Sequence, residues 1–107
     1  MKGMCEEPCG ACVVEEVLVE RHAQDDKWGQ QNHPDGTAQH YDDLAAEQAK
    51  NVCAARAQSG TITWRDILHE EVKEAFAESD QTNLRTELIQ VAAVAVAWVE
   101  AIDRRAA

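Results

Sequence analysis

Residues 63–78 decide the fold and read TWRDILHEEVKEAFAE. An α-helix turns by about 100° per residue, so the apolar residues of this stretch fall on one side of a helix. Thr63 followed by Asp66 is the pattern of an N-terminal capping box. The stretch therefore predicts an amphipathic helix that begins after Thr63 and ends near Ser79. Its apolar side carries Trp64, Ile67, Leu68, Val72, Ala75 and Phe76.

Three more helical segments accompany this stretch. Apolar residues recur at helical spacing over residues 13–24 and 42–59, and Gly60 is a typical residue to end the second of these helices. A last helix is expected over residues 83–105. Residues 28–37 are rich in turn formers and predict a polar loop. No segment shows the strict alternation of a half-buried strand, so the predicted fold is an all-α, four-helix bundle.

The last helix is more apolar than a small monomer requires. Either Asp80 or Thr82 can cap its first turn. Residues 91–99 read VAAVAVAWV and place apolar side chains on every side of the helix. Three short partner helices from one chain cannot cover all of that surface. We therefore expect oligomerisation, as a homodimer or homotetramer, to complete the bundle.

Two helices each carry a glutamate where the apolar core is expected. Glu71 lies inside the apolar side of the third helix, with Glu74 at its margin and Glu70 on the flank. Glu87 occupies the apolar seam of the fourth helix. Burying an unpaired carboxylate costs roughly several kcal/mol, so a positive charge is expected nearby. A magnesium ion prefers carboxylate oxygens and would neutralise several of them at once.

An alternative is that these glutamates form a solvated acidic surface, the commoner explanation of a glutamate-rich helix. Glutamates four residues apart repel one another, so this alternative gives no reason for Glu70 and Glu74 to occur together. The residues alone leave both readings open.

Charge and length exclude several classes of function. The 107 residues include 10 Lys and Arg against 20 Asp and Glu, for a net charge of -10. Such a chain repels phosphate backbones, so we expect no binding to nucleic acid or to an anionic membrane. The longest apolar run, residues 91–99, is too short to cross a bilayer. We expect a cytoplasmic protein.

Three of the four cysteines crowd near the start, at Cys5, Cys9 and Cys12. We expect residues 1–11 to form a flexible, cysteine-containing tail and residues 12–107 to form the helical domain. Reduced thiols are predicted, because the spacing is unlike that of a secreted disulfide scaffold. The alternative is a zinc-binding module that uses these thiols with His22 or Cys53.

Two short motifs resemble those of a known family. Residues 70–74 read EEVKE and residues 87–90 read ELIQ. These resemble the Glu-Glu-x-x-Glu and Glu-x-x-Asp motifs of the MazG-like nucleotide pyrophosphohydrolases, of the all-α NTP pyrophosphatase superfamily. The resemblance extends from about Glu20 to Arg105. It departs from the family pattern at Gln90, where the family has Asp.

The resemblance implies Mg²⁺-dependent or Mn²⁺-dependent hydrolysis of ribo- or deoxyribonucleoside triphosphates to monophosphate and pyrophosphate, a housecleaning activity on the nucleotide pool. Glu70 and Glu71 are then the expected catalytic residues. The expected metal ligands are Glu70, Glu71, Glu74, Glu87 and Gln90. The candidates for binding the substrate are Trp28, Gln31, Asn32, Lys50, Lys73 and Arg85. The alternative is a catalytically degenerate helical oligomer that acts as an interaction protein, in which Gln90 records lost activity.

Overall fold

The computed structural model of the chain describes residues 10–106 and confirms the all-α class. Within these residues there is no strand, and no helix is long and apolar enough to cross a membrane. The prediction of a flexible tail falls mostly on residues 1–9, which lie outside the described residues. The helices are α1 (Gly10–Trp28), α2 (Asp42–Ser59), α3 (Trp64–Ala77) and α4 (Gln81–Ala106).

The chain divides into two compact units. The first comprises Met1–Pro34 with Val96–Ala107, and it therefore holds α1 and the C-terminal part of α4. The second comprises Asp35–Ala95 and holds α2, α3 and the N-terminal part of α4. All the predicted metal ligands belong to the second unit.

In the first unit, α1 is longer at both ends than the predicted 13–24. A hydrogen-bonded ion pair between Arg21 and Asp25, at 2.8 Å and one helical turn apart, supports the helix beyond its predicted end. Val13 is buried, but most of α1 is exposed to solvent, including Val19 with 69% of its surface accessible.

The cysteines differ in their chemical state. Cys12 is disulfide-bonded, whereas Cys53 is a buried free thiol. The prediction of reduced thiols is therefore wrong for Cys12 and confirmed for Cys53. Spatial pairing of sulfurs decides the state of a cysteine, and spacing along the chain does not show it. A disulfide-bonded sulfur is no thiolate ligand, which counts against a zinc site that includes Cys12.

In the second unit the predicted helix boundaries hold closely. Gly60 adopts a left-handed backbone with φ of 76°, and its N–H donates to the carbonyl of Ala57 at 3.2 Å at the end of α2. Thr63 and Asp66 form the predicted capping box at the start of α3. Asp80, rather than Thr82, caps α4, because its carboxylate accepts a hydrogen bond from the Asn83 N–H at 2.9 Å.

The connection into α2 is tied to the end of α3. The Ala38 N–H donates to the carbonyl of Phe76 at 2.7 Å, and Ala38 takes a left-handed φ of 59° to do so. Asp42 is buried at the start of α2 and accepts a hydrogen bond from the Gln39 N–H at 2.8 Å. These bonds hold α2 and α3 in a defined relation, and the two helices pack against each other.

The core of the second unit is built from small side chains. Its buried apolar residues are Ala49, Cys53, Ala75 and Leu84. No large side chain in the described part of the chain is fully buried. The larger residues of α3 predicted for the core, such as Ile67 and Val72, are half-buried, and Phe76 is 45% exposed.

Candidate metal centre

Three glutamates meet where α3 lies beside the N-terminal part of α4. Glu71 and Glu74 are three residues apart on α3, so they project from the same side of the helix. Glu87 comes from α4. One carboxylate oxygen from each lies within 4.8 Å of the others, and all three residues are half-buried. Periodicity placed Glu71 and Glu87 on apolar faces and Glu74 at the margin of one, and the structure brings the three together.

Gln90 lies one turn beyond Glu87 and touches the same cluster. With its amide nitrogen toward the carboxylates, the side chain donates to Glu71 Oε2 and to Glu87 Oε2, each at 3.2 Å. In the opposite orientation the amide oxygen faces only acceptors and the amide nitrogen only donors, so the hydrogen-bonding environment assigns the first orientation. Gln90 therefore links a glutamate of α3 to a glutamate of α4.

The cluster is electrostatically unfavourable when empty of positive charge. Burial raises the pKa of Glu71, and the negative charges of Glu87 and Glu70 raise it further. Burial and the neighbouring carboxylates likewise raise the pKa of Glu74, with Lys50 acting in the opposite direction. Both carboxyls resist ionisation because like charges surround them in a partly desolvated place.

The donor set fits a divalent cation of the magnesium type. Mg²⁺ takes oxygen ligands, and carboxylates that converge on one point supply them. Within the described chain, no lysine or arginine forms an ion pair with Glu71, Glu74 or Glu87. These three residues are also the one group of histidine, cysteine or acidic side chains in the described residues that could hold a metal ion.

Glu70 points to a different neighbour. Its carboxylate accepts a hydrogen bond from the buried thiol of Cys53 on α2. Burial raises the pKa of the Cys53 thiol, and this hydrogen bond and the charges of Glu70, Asp66 and Glu71 raise it further, so the thiol keeps its proton. Glu70 is therefore held beside the three-carboxylate cluster and is not one of its members.

The contact between α2 and α3 pairs acids with electropositive groups along the helices. Arg56 Nε lies 3.6 Å from Asp66 Oδ1, Cys53 faces Glu70, and the charge of Lys50 acts on Glu74. Partial burial raises the pKa of Asp66, but hydrogen bonds from Thr63 and the charge of Arg56 outweigh it and lower the pKa overall.

This pairing was missed in the sequence. Its signal is the spacing of Lys50, Cys53 and Arg56, three residues apart on α2, against acids four residues apart on α3. Arg56 also lines a cavity of about 520 Å³ at the start of α3. The other lining residues are Thr63, Arg65, Asp66 and His69.

Three of the predicted substrate-binding residues lie in the first unit. Trp28 ends α1 with 63% of its surface exposed, and Lys27 lies over its ring at 4.9 Å from the centroid. Gln31 Oε1 lies 3.0 Å from His33 Nε2. Gln31 also lines a cavity of about 470 Å³ with Arg21, Asp25, Gly29 and Gln30. Asn32 is exposed.

The other three lie in the second unit, and each has a separate neighbour. Lys50 is near Glu74. Lys73 Nζ lies 5.6 Å from the centroid of the Phe76 ring, on the same helix. Arg85 is exposed and lines a mainly apolar cavity of about 300 Å³ beside Leu84 and Leu88. Lys50 alone among these three has a direct electrostatic link to the carboxylate cluster.

Comparison with protein families, with curated proteins and with solved structures finds no match to this chain.

The pKa directions predict how the metal-free protein responds to pH. Because the folded-state pKa values of Glu71 and Glu74 are raised, their contribution to stability is fully present below the ordinary glutamate pKa and is lost as pH rises through the folded-state values. We expect Glu71→Gln to raise the metal-free free energy of unfolding at neutral pH by more than about 0.5 kcal/mol, the usual range of a surface substitution.

The measurement is urea unfolding in chelator from acidic to neutral pH. The control is Glu47→Gln, which removes the same charge from an exposed position on α2. We expect the increase in the free energy of unfolding caused by Glu71→Gln to shrink toward acidic pH. An equal increase from Glu71→Gln and Glu47→Gln at every pH would refute the claim that repulsion within the cluster destabilises the fold.

Proposed function

We propose that this protein is a divalent-cation-dependent hydrolase of nucleoside triphosphates, releasing monophosphate and pyrophosphate. The observation that carries the proposal is the convergence of Glu71, Glu74 and Glu87 from two helices, where no lysine or arginine of the described residues forms an ion pair with them. The resemblance of residues 70–74 and 87–90 to MazG-like motifs supplies the reaction class. A nucleoside triphosphate as substrate agrees with the expected cytoplasmic location.

The charge of the chain makes a cation necessary for such a substrate. A protein with a net charge of -10 and a triphosphate repel each other, and the three carboxylates gathered at the site concentrate that repulsion there. Glu71, Glu74 and Glu87 would hold Mg²⁺ or Mn²⁺. The ion, when bound, supplies charge stabilisation on the phosphoryl oxygens. Lys50, beside Glu74, is the cation of the chain best placed to add to it.

Glu70 is the proposed base. In the reaction, water adds to the α-phosphorus, the bond from that phosphorus to the bridging oxygen breaks, and pyrophosphate leaves. A carboxylate outside the metal-binding group must take the proton of the water. Glu70 lies beside the cluster, and the Cys53 thiol, which keeps its proton, donates a hydrogen bond to its carboxylate.

A second candidate is a catalytically degenerate interaction protein. The observation that favours it is the Gln90 amide, which donates to Glu71 and Glu87 and so relieves part of their repulsion without a metal ion. The two candidates differ in turnover, and one assay separates them.

We expect the purified chain to release pyrophosphate from at least one member of a panel of ribo- and deoxyribonucleoside triphosphates when Mg²⁺ or Mn²⁺ is present. Glu71→Gln and Glu87→Gln should each abolish release, because each removes a charged ligand. Added Mg²⁺ should raise the melting temperature of the wild type and raise that of the two variants far less.

Glu47→Gln serves again as the control and should retain full turnover and the full Mg²⁺ response. Normal hydrolysis by both Glu71→Gln and Glu87→Gln would remove the cluster from the reaction. No release from any substrate by the wild type would instead support the interaction protein.

We also propose that the chain works as a homo-oligomer, a homodimer or homotetramer. The support is the apolar surface that each unit exposes. In the first unit Val17 and Leu18 are 46% and 52% exposed, and in the second Leu88 and Ile89 are 49% and 58% exposed. Monomeric proteins rarely leave contiguous large apolar side chains in water, and a small core stabilises a single chain poorly.

Light scattering at micromolar concentration tests this point. We expect a mass of at least twice the 11.8 kDa of one chain. Leu88→Glu with Ile89→Lys changes the exposed apolar pair with no change in net charge, and should lower the mass if that surface is an interface. A wild-type mass of one chain would refute oligomerisation.

A further inference from the structure

We propose that Gln90 is a positioning residue that holds Glu71 and Glu87 together and limits the cluster to one divalent cation. This inference rests on the metal site of the proposed function and goes beyond it, because it assigns a role to the residue at which the chain departs from the Glu-x-x-Asp motif.

The hydrogen bonds determine which carboxylate oxygens remain for a metal ion. The Gln90 amide has two N–H donors, and one goes to Glu71 Oε2 and one to Glu87 Oε2, each at 3.2 Å. Neither bond uses the second oxygen of Glu71 or Glu87, and Glu74 makes no such bond to Gln90. One oxygen each from Glu71 and Glu87 outside these bonds, together with Glu74, would be a donor set for a single ion.

The amide also excludes a second ion from its own side of the cluster. Its hydrogens carry partial positive charge and point at the two carboxylates, so a cation on that side would meet the amide and gain no ligand charge from it. A glutamate at the same position would present a carboxylate instead and would add a negative charge to that side. An amide at position 90 therefore favours a site for one ion, whereas a carboxylate there would favour a site for two.

The same bonds prepare the site before a metal ion arrives. Glu71 and Glu87 belong to different helices and bring carboxylate oxygens within 4.8 Å of each other, so without a donor between them like charges would push the two side chains apart. Groups that hydrogen-bond to metal ligands and orient them commonly change metal affinity by about 10- to 100-fold. We expect the two Gln90 hydrogen bonds to raise the affinity of the cluster for a divalent cation by a factor in this range.

The experiment is a Mn²⁺ titration of the full chain followed by electron paramagnetic resonance, in which the signal of free Mn²⁺ gives the number bound and the affinity. The wild type is compared with Gln90→Glu, which keeps the size and adds a charge, and with Gln90→Met, which keeps the length and removes both donors. Gln81→Glu is the control, since it adds the same charge to the exposed first turn of α4, on the opposite side of that helix.

We expect one Mn²⁺ per chain in the wild type and in Gln81→Glu, and two in Gln90→Glu. In Gln90→Met one ion should bind about 10- to 100-fold more weakly. Circular dichroism of each variant verifies that the helices are retained, so that a loss of folding is not read as a loss of affinity.

Two Mn²⁺ ions in the wild type would overturn the inference and leave the proposed hydrolase intact. A single, tighter ion in Gln90→Glu would also overturn it, because position 90 would then be a direct ligand. Unchanged affinity in Gln90→Met would overturn the positioning role. No Mn²⁺ binding by the folded wild type would overturn the metal site itself and this inference with it.

Discussion

Repulsion between three carboxylates is the constraint on which the second unit depends. Glu71 and Glu74 from α3 and Glu87 from α4 bring oxygens within 4.8 Å of one another at half-buried positions. Like charges in a partly desolvated place raise the free energy of the folded state, and burial raises the pKa of Glu71 and Glu74 accordingly. Protonation, a hydrogen-bond donor or a cation can relieve such a group.

The groups that offset the negative charge of the glutamates differ between the two sides of α3. Along the contact of α2 with α3, Arg56 and Lys50 lie near acids and the Cys53 thiol donates to Glu70. Where α3 meets α4, the compensating group is the neutral amide of Gln90. An amide satisfies oxygens but does not cancel their charge. This asymmetry between the two sides of α3 is the physical reason for proposing a cation on the side that lacks a positive charge.

The helices of the second unit could be predicted from the sequence because their ends are fixed by local chemistry. Gly60 ends α2 through its left-handed backbone, and the Thr63 capping box starts α3. The position of Glu71 and Glu87 on apolar faces also followed from helical periodicity. That these glutamates meet, however, depends on how α3 and α4 pack, which periodicity on one helix does not determine.

Other features required three-dimensional information. The ends of α1 were misjudged because polar residues such as Asp25 continue a helix when they pair with Arg21 one turn away. The disulfide state of Cys12 depends on a spatial neighbour. The donation by Gln90 to two carboxylates depends on the orientation of one amide between two helices. From the sequence, Gln90 was expected only as a metal ligand, through its carbonyl oxygen, which is the one group that the amide can offer a metal.

Anomalous diffraction from crystals grown with Mn²⁺ tests most directly whether the carboxylates exist to hold a cation. We predict an anomalous peak at the cluster, with an oxygen of each of Glu71, Glu74 and Glu87 about 2.1 Å away, as expected for a small divalent ion with oxygen ligands. A well-ordered cluster at saturating Mn²⁺ with no peak, and with the three carboxylates in contact only with protein and water, would contradict it.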